Sequence, residues 1–93
     1  MKIYHVKMTE DAQYQLDDLE VMKTKELGSD TANAFANELL DDAETLSENP
    51  GRGKNNKIGG NIFQTIFSPK TGWHIAFEID EVGAVVYVLG FKK

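Results

Sequence analysis

The opening residues, KIYHVKM, alternate in character. Ile3, His5 and Lys7 fall on one side and Tyr4, Val6 and Met8 on the other, which predicts a strand over Lys2–Met8 with one apolar face. The period then changes. Ala12, Leu16, Leu19 and Met22 or Lys23 recur at helical spacing, after Thr9 as a capping residue with Glu10 and Asp11 in the first turn. Leu27 lies near the end of this helix and Gly28 closes it. Ser29 or Asp30 caps a second helix, whose stripe is Ala32, Phe35, Ala36, Leu39, Ala43 and Leu46. Asp41, Asp42, Glu44 and Glu48 belong to its solvent side, and Asn49-Pro50-Gly51 ends it. The short link between the helices predicts an antiparallel helical hairpin.

The last third of the chain holds three apolar runs, Ile62–Phe67, Trp73–Ile79 and Ala84–Phe91, separated by turn-forming residues. β-branched and aromatic residues dominate them, and an antiparallel meander follows. Trp73, Ile75, Phe77 and Ile79 share one face; His74, Ala76, Glu78 and Asp80 share the other. The final run is apolar on both sides, which predicts a central or doubly covered strand. Gly51–Asn61, rich in glycine, lysine and asparagine, reads as an irregular, mobile loop. The expected fold is α+β: one domain over residues 1–93, a two-layer β-α-α-β-β-β sandwich with the helical hairpin packed on a mainly antiparallel sheet.

With 93 residues the chain holds a single core. Cysteine is absent, which excludes disulfide and thiolate chemistry. No apolar run of membrane length or signal-peptide type occurs, and a soluble cytoplasmic protein is expected. The net charge of −5 argues against indiscriminate nucleic-acid binding. The acids, however, concentrate in the first half. Arg52, Lys54, Lys57, Lys70, Lys92 and Lys93 give the second half a positive excess and leave room there for an anionic partner.

Several motifs together resemble the RelE/ParE superfamily of bacterial toxins from toxin–antitoxin modules, particularly its ParE-like, plasmid-stabilisation branch. The second helix closes on Leu46-Ser47-Glu48-Asn49-Pro50-Gly51-Arg52-Gly53, similar to the family's leucine, proline, glycine, arginine helix end. Trp73–Asp80 resembles its aromatic-x-I-x-aromatic-x-V-D strand, and Val85–Lys92 its closing strand. The resemblance implies one of two actions: cleavage of messenger RNA on the ribosome, or inhibition of DNA gyrase without chemistry. In both, a cognate antitoxin silences the toxin. The arginines usual on the family's second and third strands are replaced here by Gln64 or its neighbours, His74 and Glu78, and the closing strand ends Phe91-Lys92-Lys93. That departure favours the gyrase-type mode.

Three residues are candidates for catalysis, namely Lys54, Lys57 and His74. Lysines in a flexible loop can hold phosphates or stabilise developing charge, and histidine exchanges protons near neutral pH. Arg52, Lys92 and Lys93 are candidates for binding, Arg52 beside the loop lysines for RNA phosphates and Lys92 and Lys93 for an acidic partner. Each has a plainer reading as a solvated cation or a sheet histidine. Two histidines and scattered acids offer no metal-ligand spacing, so neither metal nor cofactor is expected. Ser29, Ser47 and Ser68 are accounted for by turns and caps, and Trp73 and Tyr87 by the core. The expectation is a toxin-like subunit acting on gyrase or translation. The alternatives are a degenerate, non-toxic binding module and a ribosome-dependent endoribonuclease. Expected partners are an antitoxin, gyrase or ribosome and mRNA, and a second copy of the chain.

Overall fold

The opening alternation becomes strand β1 (His5–Met8), with Tyr4, Val6 and Met8 packed against the core. A computed structural model describes residues 2–58 and 60–93, and all their side chains except those of residues 56–58 and 61. β1 starts three residues later than the alternation predicts. Its parallel partner strand begins level with His5, at Val85, and Tyr4 instead donates its backbone N–H to Ser47 O at 2.8 Å.

Helix α1 (Glu10–Leu27) begins as expected, with Thr9 Oγ1 accepting from the Ala12 N–H at 3.2 Å. Ala12, Leu16 and Leu19 are buried. The next place on the stripe goes to Lys23, whose ammonium lies 5.1 Å from the centre of the Phe35 ring, while Met22 is exposed. Gly28 has φ of 91°, a conformation that favours glycine, and it serves both helices. It closes α1 and is the residue before α2 (Ser29–Glu44). Ser29 and Asp30 are therefore already inside the helix, and no side chain caps it. Ala32, Ala36, Leu39 and Ala43 are buried, and a 3₁₀ turn, Thr45–Ser47, carries Leu46 into the same core. Asp42, expected in solvent, is half-buried: its Oδ2 accepts from the Ser68 hydroxyl at 2.6 Å.

The stretch read as an irregular loop is mostly ordered. Pro50–Arg52 make a 3₁₀ turn, and Lys54–Ile58 form strand β2, paired antiparallel with β3 (Asn61–Ser68). The physical reason is the ladder. β3 has β4 (Trp73–Asp80) on one side only, and a neighbouring segment of low β-propensity still gains by satisfying its other edge. Lysines and asparagines suit a strand that remains at the rim. β5 (Val85–Lys92) completes a five-stranded sheet in the order β1-β5-β4-β3-β2. β1 runs parallel to β5 and the other pairs are antiparallel. The two-layer α+β reading holds, with one strand more than the alternation predicted.

The helices cover one face of the sheet. Ile66, Ile75, Phe77, Val86, Val88 and Phe91 meet the helical stripes there. The jump from Val88 to Phe91 breaks strict alternation, because β5 carries a bulge. Ala76 pairs with Gly90 and Phe77 with Val88, so Leu89 has no place in the ladder. The bulge explains why this strand reads as apolar on both sides.

Past the bulge β1 has ended, and the backbone of Phe91 faces an unfilled edge. Gln15 of α1 fills it: its Oε1 accepts from the Phe91 N–H at 2.8 Å, and its Nε2 donates to Phe91 O. A Cβ at position 90 would lie 2.7 Å from Gln15 Oε1, so glycine leaves room for the clamp. Among the described residues, no helix is long and apolar enough to cross a membrane.

Candidate functional site

Strand alternation sends every second side chain to the face away from the helices. Lys54 pairs with Thr65, Thr65 with Ala76, and Ala76 with Gly90. One step along, Phe67 pairs with His74 and His74 with Lys92. Residues directly opposite one another share a face. Lys54, Phe67, His74 and Lys92 therefore come together from four strands on the open side of the sheet.

They line a groove of about 570 Å³, together with Arg52 and Lys93. Its volume lies within the roughly 300–1,000 Å³ range of small-ligand sites. Arg52 reaches it from the 3₁₀ turn that follows α2, and its guanidinium donates to the Thr45 hydroxyl. Lys92 and Lys93 arrive at the end of β5, beyond the bulge that Gln15 holds. Among the described residues, Arg52, Lys54, Lys92 and Lys93 line the groove and no carboxylate does, although the whole chain is acidic. Such a wall focuses a positive potential on whatever enters.

His74 forms part of the floor. Its ring lies 5.1 Å from that of Phe67, with the planes inclined at 54°. Its Nδ1 is buried without a hydrogen-bond partner. Phe67 itself is 53% exposed. The groove thus offers cations for an anionic ligand, an imidazole that can move a proton, and an aromatic face.

The geometry sorts the residues picked from the sequence. Arg52, Lys54, His74, Lys92 and Lys93 meet in one groove. Lys54 sits on β2 rather than in a mobile loop, because its segment is zipped onto β3. Lys57 pairs through its backbone with Ile62, and its side chain lies outside the described residues. Gln64 shares a face with Phe77, on the helix side, and donates to Asn55 Oδ1 at 3.2 Å. Glu78 is exposed and does not line the groove. Sequence reasoning missed Phe67, which was counted only as part of an apolar run. The signal lay in its phase: Phe67 alternates with Ile66, which is buried.

Gly53 belongs to the helix-end motif and stands just before β2. A Cβ there would lie 2.5 Å from the Phe77 ring, so only glycine lets the chain cross the core and deliver Lys54.

No protein-family model matches this sequence, and no curated protein does. Solved structures share its architecture. A chain of the chromosomal ParDE TA system from P. aeruginosa superposes with a TM-score of 0.82 at 15% identity, over 98% of this chain and 96% of that one. A chain of the toxin–antitoxin complex RelBE2 from Mycobacterium tuberculosis gives 0.66 at 20% identity, over 97% and 96%. A free mutant form of the E. coli toxin RelE gives 0.65 at 19% identity, over 98% and 83%. The likeness spans both layers, and the chain has the RelE/ParE-like fold that its helix-end and strand motifs resemble.

Proposed function

We propose that this chain is the toxin of a type II toxin–antitoxin module and that it arrests growth by acting on RNA in the cationic groove. The observation that carries this reading is the convergence of Arg52, Lys54, His74, Lys92 and Lys93 on one open surface free of carboxylates. A phosphodiester backbone matches that arrangement. The shared fold of the ParDE and RelBE structures supports the toxin role.

The groove can support cleavage as well as capture. A ribose 2′-hydroxyl attacks the adjacent phosphorus and gives its proton to His74. The bond to the 5′-oxygen breaks, and that oxygen takes a proton from a neighbouring lysine or water. A 2′,3′-cyclic phosphate and a free 5′-hydroxyl result. Lys54 and Lys92 stabilise the charge that builds on the phosphoryl oxygens.

A second reading, inhibition of DNA gyrase without chemistry, is favoured by the greater likeness to the ParDE chain than to the RelBE and RelE chains. The silencing partner is an antitoxin. Ile62, 64% exposed, lines a second groove with Phe63 and Ile79, which is suited to an apolar antitoxin segment or a second copy of the chain. The compartment is the cytoplasm, where such targets are.

Induced expression in a bacterium separates these readings. Growth, transcript integrity and DNA supercoiling are followed together. Arrest with cut transcripts is expected, and Lys54→Ala with His74→Ala lowers cutting by about 10²- to 10⁴-fold while the protein stays folded. Arrest with altered supercoiling and intact transcripts assigns the gyrase mode. Normal growth with soluble protein present leaves a non-toxic binding module of the same fold.

A further inference from the structure

The exposed ring of Phe67 is out of place for a wholly cationic site. Leaving half of a phenylalanine in water forgoes burial worth about 25 cal/mol per Å². Its neighbour Ile66 and the cross-strand Ile75 are buried, so the same two strands do cover apolar groups elsewhere. Phe67 is fixed on β3, against His74 on β4, with their ring centroids 5.1 Å apart. One side of the ring is therefore held and the rest lies open to the groove.

An apolar protein segment laid on Phe67 would have to share the groove with Arg52, Lys54, Lys92 and Lys93. Desolvating those cations without a counter-charge is costly. A single strand of nucleic acid meets both demands at once, since its phosphates answer the cations and its bases stack on aromatic rings. A duplex does not, because its bases are already stacked on one another and turned away from the side chains.

We propose that Phe67 and His74 form a base-stacking subsite, so that the groove takes single-stranded RNA with one unpaired base laid on Phe67 and the flanking phosphates on Lys54 and Lys92. The inference rests on the RNA reading above and narrows it to unpaired strands. Phe67 is a specificity-determining residue in this arrangement: it makes no bond to the reacting atoms and selects strands whose bases are free.

Fluorescence anisotropy with a labelled oligoribonucleotide tests the subsite. Three probes are compared at several salt concentrations, namely a single strand, the same sequence as a duplex, and a strand of equal length lacking bases. The wild type is expected to prefer the single strand. Phe67→Ala should weaken that binding by about 5- to 150-fold while leaving the abasic strand and the salt slope unchanged. Lys92→Ala should weaken both single strands and flatten the salt slope by roughly 0.7 for the phosphate lost. Phe67→Tyr, which keeps the stacking face, should restore most of the affinity.

Wild-type binding that Phe67→Ala leaves intact, or weakens equally for the abasic strand, overturns the subsite while the RNA reading stands. An intact affinity accompanied by a change of oligomeric state assigns Phe67 to a protein contact and also overturns it. No wild-type binding to any RNA sinks the RNA reading and the subsite together.

Discussion

Phe77 and Phe67 lie on adjacent antiparallel strands of one sheet and meet opposite fates. Phe77 is fully buried beneath the helices, whereas Phe67 is 53% exposed in the cationic groove. Strand alternation alone separates them, since Phe77 pairs with Gln64 on one face and Phe67 with His74 on the other. The covered face is closed by Ala12, Leu16, Leu19, Ala36, Leu39 and Leu46 from the helical layer. The open face gathers cations and an imidazole on the same rigid strands. The packed core and the cationic groove thus lie on the two sides of the same ladders, so that a core on one side fixes the geometry of the groove on the other.

The largest expected effect tests this division directly. Phe77→Ala empties a buried site against Gly53 and should destabilise the fold by about 3–5 kcal/mol. Phe67→Ala removes a half-exposed ring and should cost about 1 kcal/mol or less. Urea denaturation with an unchanged slope measures both. Equal costs would break the comparison, because they would mean that something covers the open face.

A smaller effect lies where β5 passes from core to groove. Gly90→Ala places a methyl group against the end of the Gln15 side chain and must push the clamp off Phe91. Gln15→Ala removes the clamp outright. Each change should cost about 1–3 kcal/mol, because part-buried backbone groups of Phe91 lose their partner. The double variant should cost little more than either alone, since both delete the same two bonds. Additive losses in denaturation would show instead that Gly90 matters for some other contact.

These two sites show which parts of the molecule could be read from the sequence. Ala12, Leu16, Leu19, Ala32, Ala36 and Leu39 lie in unbroken helices, where a constant period makes the buried stripe legible. Phe91 lies beyond a bulge, and one residue outside the ladder reverses the phase for everything after it. Lys54 failed for a different reason. Its strand has neither alternation nor β-propensity and exists because β3 offers an edge, which is a tertiary fact. The groove residues could be nominated singly as cations and a histidine. Their convergence could not be read, because Lys54, His74 and Lys92 are brought together by the successive pairings of β2 with β3, β3 with β4 and β4 with β5, and Arg52 and Lys93 flank those strands.

The smallest expected effect belongs to the rim, where Lys2 and Tyr4 meet the turn between β4 and β5. The Tyr4 hydroxyl donates to Glu81 Oε2 at 2.7 Å, and the Lys2 ammonium donates to Glu81 O at 2.7 Å and lies 3.5 Å from the same carboxylate oxygen. The hydrogen bond from Tyr4 holds the Glu81 carboxyl below its ordinary range, with Lys2 adding to the effect, and the same bond raises the Tyr4 phenol. A lowered carboxyl contributes stability that is complete above its unfolded value and is lost as pH falls through the folded one. A raised phenol contributes stability that is complete below its unfolded value and is lost as pH rises through the folded one. The tie should therefore hold on a plateau between the ordinary carboxylate and phenol ranges and loosen at either end. Amide exchange at Tyr4, whose N–H is bound by Ser47 O, reports it. Glu81→Gln should speed that exchange on the plateau and match the wild type once pH falls below the lowered carboxyl range. Its global denaturation midpoint should barely move, because exposed ion pairs carry little stability. A large fall in that midpoint would show that the first residues belong to the covered core and not to its rim.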